Sequence, residues 1–235
     1  MLEGNRLAAV RQQMALTVEL VARVPPAPDD PGPNDLVPMT DDDYDLAIQS
    51  QLRQAPAGDI WFFAYGSLLW KPACGVAEGR VGKVRGWHRS FCIRLPRYRG
   101  TPDRPGLMMG LDRGGQCRGK VFRIPADRIQ DELGKLFRRE MTVKPASYLP
   151  RWLDVESDGF PVRALAFVTN RRSPRYAGKL APDEVAEILA TAAGHWGSCA
   201  EYLRETVAHL EELGIRDRNL WRLQSLVARR IAAVA

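Results

Sequence analysis

Residues 61–70, WFFAYGSLLW, place a glycine and a serine between two apolar runs. A buried strand that ends at Tyr65-Gly66-Ser67 without a charged residue either turns there or presents backbone N–H groups to a small anionic ligand. Glycine permits the second use, because a ligand can approach the backbone without meeting a side chain. The segment from Tyr65 to Leu68 is therefore a candidate binding loop.

Glu140 is the second candidate for chemistry. It lies near the end of DRIQDELGKLFRREM (127–141), a segment whose apolar residues form one stripe of a predicted helix, and it falls on or beside that stripe. A carboxylate turned toward a core loses hydration, which raises its pKa unless it is paired, and this environment is typical of a general base. The alternative is a structural glutamate that pairs with Arg139 or another neighbour.

Other catalytic patterns have little support in the sequence. Ser67 lacks the second glycine of a nucleophile elbow, and no Walker or dinucleotide-binding glycine motif occurs. The histidines and cysteines do not have the spacing of a metal site, so we expect no metal and no cofactor. We interpret the cysteines as reduced and mostly buried thiols, namely Cys74, Cys92, Cys117 and Cys199.

The elements that must position these residues begin after an N-terminal extension. Residues 7–23 have helical apolar spacing, and residues 24–43 are rich in proline and aspartate, which predicts a linker. An acidic linker in a basic chain suggests that it docks on the remainder. The predicted division is a helical extension and linker over 1–58 and one domain over 59–235.

Short β-type runs come first in that domain, and helical patterns cluster late, which favours an α+β fold. We predict a mostly antiparallel sheet or a small barrel with flanking helices, and a hairpin turn at RGGQ (113–116). The predicted strands are 60–65, 82–95, 107–111, 117–124 and 162–169, and the predicted helices are 43–54, 127–141, 182–193, 200–213 and 219–231.

Composition limits the range of partners. The 235 residues carry a formal net charge of +6, but the arginines are dispersed in pairs, which favours a solvated surface over a nucleic-acid site. The N-terminal segment does not have the pattern of a secretory signal, and no apolar run is long enough for a membrane span. We expect a cytoplasmic protein without nucleic-acid or membrane partners, and a monomer or weak homodimer.

Several segments in order resemble one family, the ChaC-type γ-glutamylcyclotransferases that act on glutathione. The resemblance covers essentially all of residues 59–235 and rests on YGSLLW, on RGT followed by PG, on RRE followed by a tyrosine, and on GxxGxxxEYL. Two positions depart from the family pattern. Ala64 precedes the YGSL tyrosine where glycine is common, and Cys199 stands where asparagine is common.

The resemblance implies a γ-glutamylcyclotransferase-like fold, a mixed or antiparallel barrel-like sheet with flanking helices, and a reaction without a cofactor. Glutathione would be split into 5-oxoproline and cysteinylglycine by attack of its α-amine on its γ-carbonyl, with Glu140 as general acid and base. The substrate-binding loop would comprise Phe63, Ala64, Tyr65, Gly66, Ser67 and Leu68. Arg99 would neutralise the glycine-end carboxylate, and Tyr148 and Tyr202 would offer hydrogen bonds.

Two alternatives remain beside the reaction with glutathione that the resemblance implies. The same ring closure could act on other γ-glutamyl amines or peptides, which a substrate panel would distinguish from a reaction with glutathione. The scaffold could also be a binding module without turnover, although the presence of both the loop and the glutamate argues against this.

Overall fold

A computed structural model describes residues 13–27, 29–32, 36–157 and 159–234. The strands are β1 (Val37–Pro38), β2 (Ile60–Ala64), β3 (Glu78–Leu95), β4 (Gly106–Ile124), β5 (Val143–Lys144), β6 (Tyr148–Ser157), β7 (Phe160–Thr169), β8 (Ala193–Gly194) and β9 (Gly197–Ser198). The helices are α1 (Val18–Val21), α2 (Asp41–Leu52), α3 (Ile129–Glu140), α4 (Pro182–Thr191), α5 (Cys199–Glu212) and α6 (Arg218–Ala233). Within the described ranges, no helix is both long enough and apolar enough to cross a membrane.

The central feature is a closed barrel with the strand order β2-β4-β3-β6-β7. Neighbours in this order are antiparallel, and parallel pairing of β7 with β2 and β4 completes the barrel. The sheet is therefore mixed, with mostly antiparallel pairing. The apolar run of β2 is almost entirely buried, which explains why a strand without charge forms here.

The last two helices, α5 and α6, begin at side-chain caps. Ser198 accepts a hydrogen bond from the backbone N–H of Glu201 at the start of α5, and Asp217 accepts from those of Asn219 and Leu220 at the start of α6. In α3, the side chains of Leu133, Leu136 and Phe137 are fully buried, so the predicted apolar stripe does face the core.

The hairpin predicted at residues 113–116 was wrong. This stretch lies inside β4, which continues on both sides of it and pairs along its length with β3. Gly114 and Gly115 have φ values of 109° and 65°, and the pairing shifts register at this point. The glycines therefore form a β-bulge within one long strand instead of a turn between two. The strand β6 was not predicted.

The N-terminal predictions were partly wrong. Residues 7–12 lie outside the described residues, and the only helical part of the described remainder of 7–23 is α1, which Thr17 caps. The linker predicted over 24–43 contains β1, which pairs with β5, and the first turn of α2. Thr40 and Asp43 form a capping box there, so the run of aspartates begins a helix.

The described part of the N-terminal segment, residues 1–58, is packed against the barrel and its helices. Asp41 and Asp43 form ion pairs of 2.6 Å with Arg138 and Lys144, respectively. Buried side chains of the segment also join the main hydrophobic cluster; they are Leu16, Tyr44 and Ile48. The acidic segment thus docks as its charge suggested.

Candidate active site

The candidate loop leaves the barrel at the end of β2 and tightens at once into a short 3₁₀ turn, Ser67–Leu69. Arg89, a residue of β3 whose side chain is only 2% exposed, donates from Nε to the carbonyl oxygen of Tyr65 at 2.6 Å. The same guanidinium donates to Asp217 at 3.2 Å, which satisfies its buried charge. A fixed partner therefore holds the loop at its first residue.

Glu140 is the last residue of α3, and its side chain is 14% exposed. Burial raises the pKa of this carboxyl from 4.5 to about 7, although the positive charge of Arg139 opposes the rise. The Nε atom of Arg139 lies 3.6 Å from Oε1 of Glu140. The negative end of the helix dipole acts in the same direction as burial, because both disfavour a carboxylate there. Glu140 can therefore gain and lose a proton near neutral pH.

Three tyrosines lie close enough to Glu140 to be affected by its charge. The Glu140 charge raises the pKa values of Tyr65, Tyr148 and Tyr202, in each case in addition to a larger effect of burial. Burial raises the pKa of Tyr202 to about 12 and takes the other two well above 10. All three phenols are therefore neutral at physiological pH. Each oxygen can donate one hydrogen bond and still accept another.

Two of the phenols are already oriented by the barrel. The hydroxyl of Tyr65 donates to the carbonyl oxygen of Phe167 at 2.8 Å, and that of Tyr148 donates to the carbonyl oxygen of Met109 at 2.9 Å. The hydroxyl protons of Tyr65 and Tyr148 are engaged in these bonds, so the two phenol oxygens can interact with a ligand only as hydrogen-bond acceptors. An acceptor surface next to a carboxylate is suited to a primary amine.

Tyr202 and the loop are in direct contact. A Cβ atom at Gly66 would lie 2.8 Å from the Tyr202 hydroxyl, so glycine allows this close approach. A hydrogen bond from the backbone N–H of Ser67 lowers the pKa of Tyr202 against the larger effect of burial. The glycine therefore serves a contact within the site as well as any approach of a ligand.

Arg139 connects α3 to the loop. Its Nη2 donates to Oγ of Ser67 at 3.0 Å, and its Nη1 donates to the carbonyl oxygen of Lys71. The residue that adjusts the charge of Glu140 thus also fixes the position of the loop. Arg139 therefore links the YGSL loop to the Glu140 carboxyl.

The remaining predicted site residues have mixed placements. Phe63, Ala64 and Leu68 are at most 5% exposed, so their side chains belong to the core. Arg99 donates from Nη1 to Glu201 at 2.6 Å and to the carbonyl oxygen of Ser198 at 2.7 Å. Its guanidinium also lies 5.6 Å from the centre of the Tyr202 ring.

The position that departs from the family pattern in α5 is also buried. The thiol of Cys199 donates to the carbonyl oxygen of Arg99 at 3.1 Å and to that of Leu107 at 3.6 Å. Burial raises the pKa of this thiol to about 11. Cys199 therefore supports the backbone next to Arg99 as a neutral donor.

Arg89 was not predicted from the sequence, and Arg139 was considered only as a partner of Glu140. A basic residue inside a predicted strand, as in RSFCI, was the available signal for Arg89. Among the described residues, no group of three or more histidine, cysteine or acidic side chains could hold a metal ion.

Comparison with known proteins identifies the family. The family model described as "ChaC-like protein" matches residues 60–230, which is well over half of the chain. The chain belongs to the ChaC-like family. The predicted family resemblance is thereby confirmed.

The chain is similar in sequence to several glutathione-specific γ-glutamylcyclotransferases. The chain is 38% identical over 164 residues to the glutathione-specific γ-glutamylcyclotransferase of Escherichia coli, covering 69% of this chain and 70% of that protein. It is 30% identical over 151 residues to glutathione-specific γ-glutamylcyclotransferase 1 of Mus musculus, covering 61% of this chain and 66% of the mouse protein.

A solved structure supports the fold. The crystal structure of a γ-glutamyl cyclotransferase specific to glutathione from yeast superposes with a TM-score of 0.66 at 20% identity. The match covers 74% of this chain and 100% of the yeast chain. The predicted γ-glutamylcyclotransferase-like α+β fold is confirmed.

Proposed function

We propose that this protein is a γ-glutamylcyclotransferase that converts glutathione into 5-oxoproline and cysteinylglycine. The observation that carries the proposal is the buried carboxyl of Glu140, whose pKa is raised to about 7 and which Arg139 links to Ser67 of the YGSL loop. Its charge also acts on three neutral tyrosines, Tyr65, Tyr148 and Tyr202. Family membership and the names of the relatives support the same reaction.

In this reaction the substrate supplies its own nucleophile. The α-amine nitrogen attacks the γ-carbonyl carbon and forms the C–N bond of a five-membered lactam, while the C–N bond to cysteine breaks. Glu140 takes the proton from the attacking amine and returns it to the departing amine of cysteinylglycine, so no water is consumed. A base whose pKa lies near the working pH can perform both transfers.

The surrounding residues position the substrate. The phenol oxygens of Tyr65 and Tyr148, whose protons are held by barrel carbonyls, would accept hydrogen bonds from the α-amine. Backbone N–H groups of residues 65–68, other than that of Ser67, which already donates to Tyr202, would bind the oxygen of the γ-carbonyl, which becomes negative during attack. Holding amine and carbonyl in register can supply roughly 7–11 kcal/mol of the barrier, so positioning is at least as important as proton transfer.

This proposal includes the location of the protein. Glutathione carries a thiol that reducing compartments preserve, and all four cysteines of the chain are free. Both facts support the cytoplasmic location expected from the sequence.

The test is turnover of reduced glutathione by the purified protein, with both products followed by mass spectrometry. We expect equal amounts of 5-oxoproline and cysteinylglycine, and a loss of about 10²–10⁴-fold in kcat for Glu140→Gln, which removes the base and keeps the shape. Circular dichroism and thermal unfolding establish that the variant is folded.

The matched control is Glu132→Gln on the same helix. Glu132 accepts a hydrogen bond from the backbone N–H of Gly75 at 2.6 Å and has a lowered pKa because of that bond, so it is a structural carboxylate. A folded Glu140→Gln variant as active as the wild type would refute the role of Glu140. If the wild type leaves glutathione intact but releases 5-oxoproline from other γ-glutamyl amines, glutathione is not its substrate.

A further inference from the structure

The guanidinium of Arg89 connects three parts of the fold. The side chain is 2% exposed, and it donates from Nε to the carbonyl oxygen of Tyr65 at 2.6 Å and from Nη2 to that of Arg118 in β4. From Nη1 it donates to Oδ2 of Asp217 at 3.2 Å. One buried side chain thus joins the first residue of the YGSL loop, a barrel strand and the start of α6.

Asp217 uses its two carboxylate oxygens for different purposes. Its Oδ1 accepts hydrogen bonds from the backbone N–H groups of Asn219 at 3.1 Å and Leu220 at 3.2 Å, which caps α6 and leaves Oδ2 for Arg89. Because the helix holds the side chain of Asp217, that side chain can hold the guanidinium in one orientation. A charged partner is also what a buried guanidinium requires.

The bond from Arg89 fixes the direction of the next backbone N–H. The peptide bond between Tyr65 and Gly66 is trans, and a trans peptide is planar with its C=O and N–H groups pointing in opposite directions. The N–H of Gly66 therefore points away from Arg89. The next peptide is held as well, because the carbonyl oxygen of Gly66 accepts from the backbone N–H of Leu69 at 2.9 Å.

This N–H is available to a ligand. Gly66 is buried, and within the described ranges no protein acceptor is hydrogen-bonded to its N–H. By contrast, the N–H of Ser67 is used by the hydroxyl of Tyr202. A buried backbone N–H without a protein partner is unfavourable unless a ligand or a water molecule binds it.

Contacts place Gly66 inside the candidate site. A Cβ atom at Gly66 would lie 2.8 Å from the Tyr202 hydroxyl. The next residue, Ser67, accepts a hydrogen bond of 3.0 Å from Arg139, whose Nε lies 3.6 Å from Oε1 of Glu140. A donor at Gly66 is therefore in the part of the molecule that holds the candidate base.

We propose that Arg89 and Asp217 are positioning residues, which aim the N–H of Gly66 at the γ-carbonyl oxygen of the substrate. This inference rests on the proposed function, in which that oxygen becomes negative as the α-amine attacks. A donor that is held in place before the reaction stabilises this charge without having to reorient. The positive charge of Arg89 on the carbonyl oxygen of the same peptide also polarises the N–H and makes it a stronger donor.

Asp217→Asn tests the inference because it separates the two uses of the carboxylate. Asparagine retains one oxygen for the helix cap, where it is as favourable as aspartate, but its amide nitrogen cannot accept a hydrogen bond from Arg89. We expect kcat and kcat/KM for glutathione to fall together by about 10–100-fold with KM nearly unchanged, because the contact strengthens only in the transition state. Arg89→Lys lacks the planar guanidinium and should show the same pattern with a larger loss.

Asp59→Asn is the matched control. Asp59 divides its carboxylate in the same way, with Oδ1 bound to the backbone N–H of Ala126 at 2.9 Å and Oδ2 to Arg123, but it lies at the other end of β2 from the loop. We expect this variant to keep the wild-type kcat. An equal fall in kcat in both aspartate variants would overturn the inference. So would Asp217→Asn with an unchanged kcat, whether or not its KM rises, once circular dichroism shows that each variant is folded.

A measurement without turnover separates this inference from the proposed function. The amide signal of Gly66 is followed by ¹H–¹⁵N NMR in the wild type, Asp217→Asn and Asp59→Asn, all without substrate. We expect it to shift only in Asp217→Asn, because the hydrogen bond from Arg89 is made to the same peptide unit. An unchanged signal would refute the positioning role even if the wild type cleaves glutathione. If the wild type forms no 5-oxoproline while the Gly66 signal still responds, the reaction is refuted and the positioning of this N–H is retained.

Discussion

At the scale of single residues, the site depends on an acid whose ionised form the fold disfavours. Glu140 is 14% exposed and lies at the C-terminal end of α3, and its pKa is about 7 instead of 4.5. The unfolded chain has no such environment, so its glutamate ionises at a lower pH. The same property that suits Glu140 to proton transfer near neutral pH therefore costs stability whenever the carboxyl is ionised.

We predict that Glu140→Gln makes stability less dependent on pH. The proton on Glu140 stabilises the folded wild type fully below about pH 4.5, and this stabilisation is lost as pH rises through about 7. The difference between the two pKa values corresponds to roughly 3 kcal/mol of unfolding free energy in the wild type, whereas glutamine does not titrate. The advantage of the variant in unfolding free energy should thus grow between pH 5 and pH 8, as measured by urea unfolding. Parallel curves would contradict the raised pKa.

Arg139 should set the pH at which the base becomes active. Its charge lowers the pKa of Glu140, so Arg139→Gln should move the acid limb of kcat/KM to higher pH by about one unit or more. It should also raise KM, because the bond to Ser67 is lost. The control is Arg138→Gln, whose side chain pairs with Asp41. If both variants keep the wild-type midpoint, Arg139 does not act on Glu140.

The candidate site residues were easier to predict from the sequence than the residues that support them. Glu140 was visible because one carboxylate fell on an apolar stripe, and the YGSL loop because glycine followed a buried strand. Arg89 acts through partners that are 24 or more positions away in the chain, namely Tyr65 and Asp217. Helical periodicity relates only near neighbours, so it cannot reveal such pairs.

At the scale of elements, most segments were predictable where one face is apolar. The helices after residue 127 and the strands β2, β3 and β7 agree with the sequence prediction within a few residues. The failures are local exceptions. The sequence prediction divided β4 into two strands because two consecutive glycines, Gly114 and Gly115, indicate a turn in most contexts. Only the pairing with β3 shows that these glycines form a bulge. β6 contains Pro150 and alternates between exposed and buried residues only toward its end.

Two glycines of the site elements should respond in opposite ways to alanine. A Cβ at Gly134, within α3, meets no atom within 4 Å, so Gly134→Ala should stabilise the protein by about 0.5–1 kcal/mol. A Cβ at Gly119 would overlap the carbonyl oxygen of Ala64 and lie 2.8 Å from Cζ of Phe63. Gly119→Ala should therefore destabilise by about 1–3 kcal/mol.

The same two variants, Gly119→Ala and Gly134→Ala, should also differ in their activity on glutathione. Ala64 immediately precedes Tyr65, so displacement of the end of β2 by Gly119→Ala should also shift the loop and lower kcat/KM for glutathione, whereas Gly134→Ala should not. Urea unfolding and product formation measure the two effects. A stable, fully active Gly119→Ala variant would show that β2 can shift without moving the loop.

At the scale of the whole molecule, the core is larger than the family domain. The family model begins at residue 60, yet Leu16, Tyr44 and Ile48 contribute to the main hydrophobic cluster. Leu16 also donates its backbone N–H to the side chain of Gln224 in α6 at 2.8 Å. Proline and aspartate composition suggested a linker over 24–43, because composition does not show that β1 pairs with β5 there or that the aspartates begin α2.

The N-terminal segment should therefore unfold together with the barrel. Leu16 is fully buried and Val18 is 55% exposed, so they form a matched pair two positions apart. Leu16→Ala should lower the unfolding free energy by about 2–5 kcal/mol in a single transition, whereas Val18→Ala should change it by less than about 0.5 kcal/mol. Tryptophan fluorescence reports the transition, because all six tryptophans lie between residues 61 and 221 and none in the N-terminal segment.

Limited proteolysis of the same variants gives the complementary measurement. A docked segment is cleaved only when it opens, so Leu16→Ala should increase the rate of cleavage within residues 24–43 by a broad-specificity protease, and Val18→Ala should not. Cleaved wild-type protein should also unfold at a lower temperature than intact protein, because it can lose the contact between Leu16 and Gln224. Rapid cleavage of the wild type with no change in thermal stability would instead mean that the segment is an appendage, and Leu16 would then add nothing to the stability of the barrel.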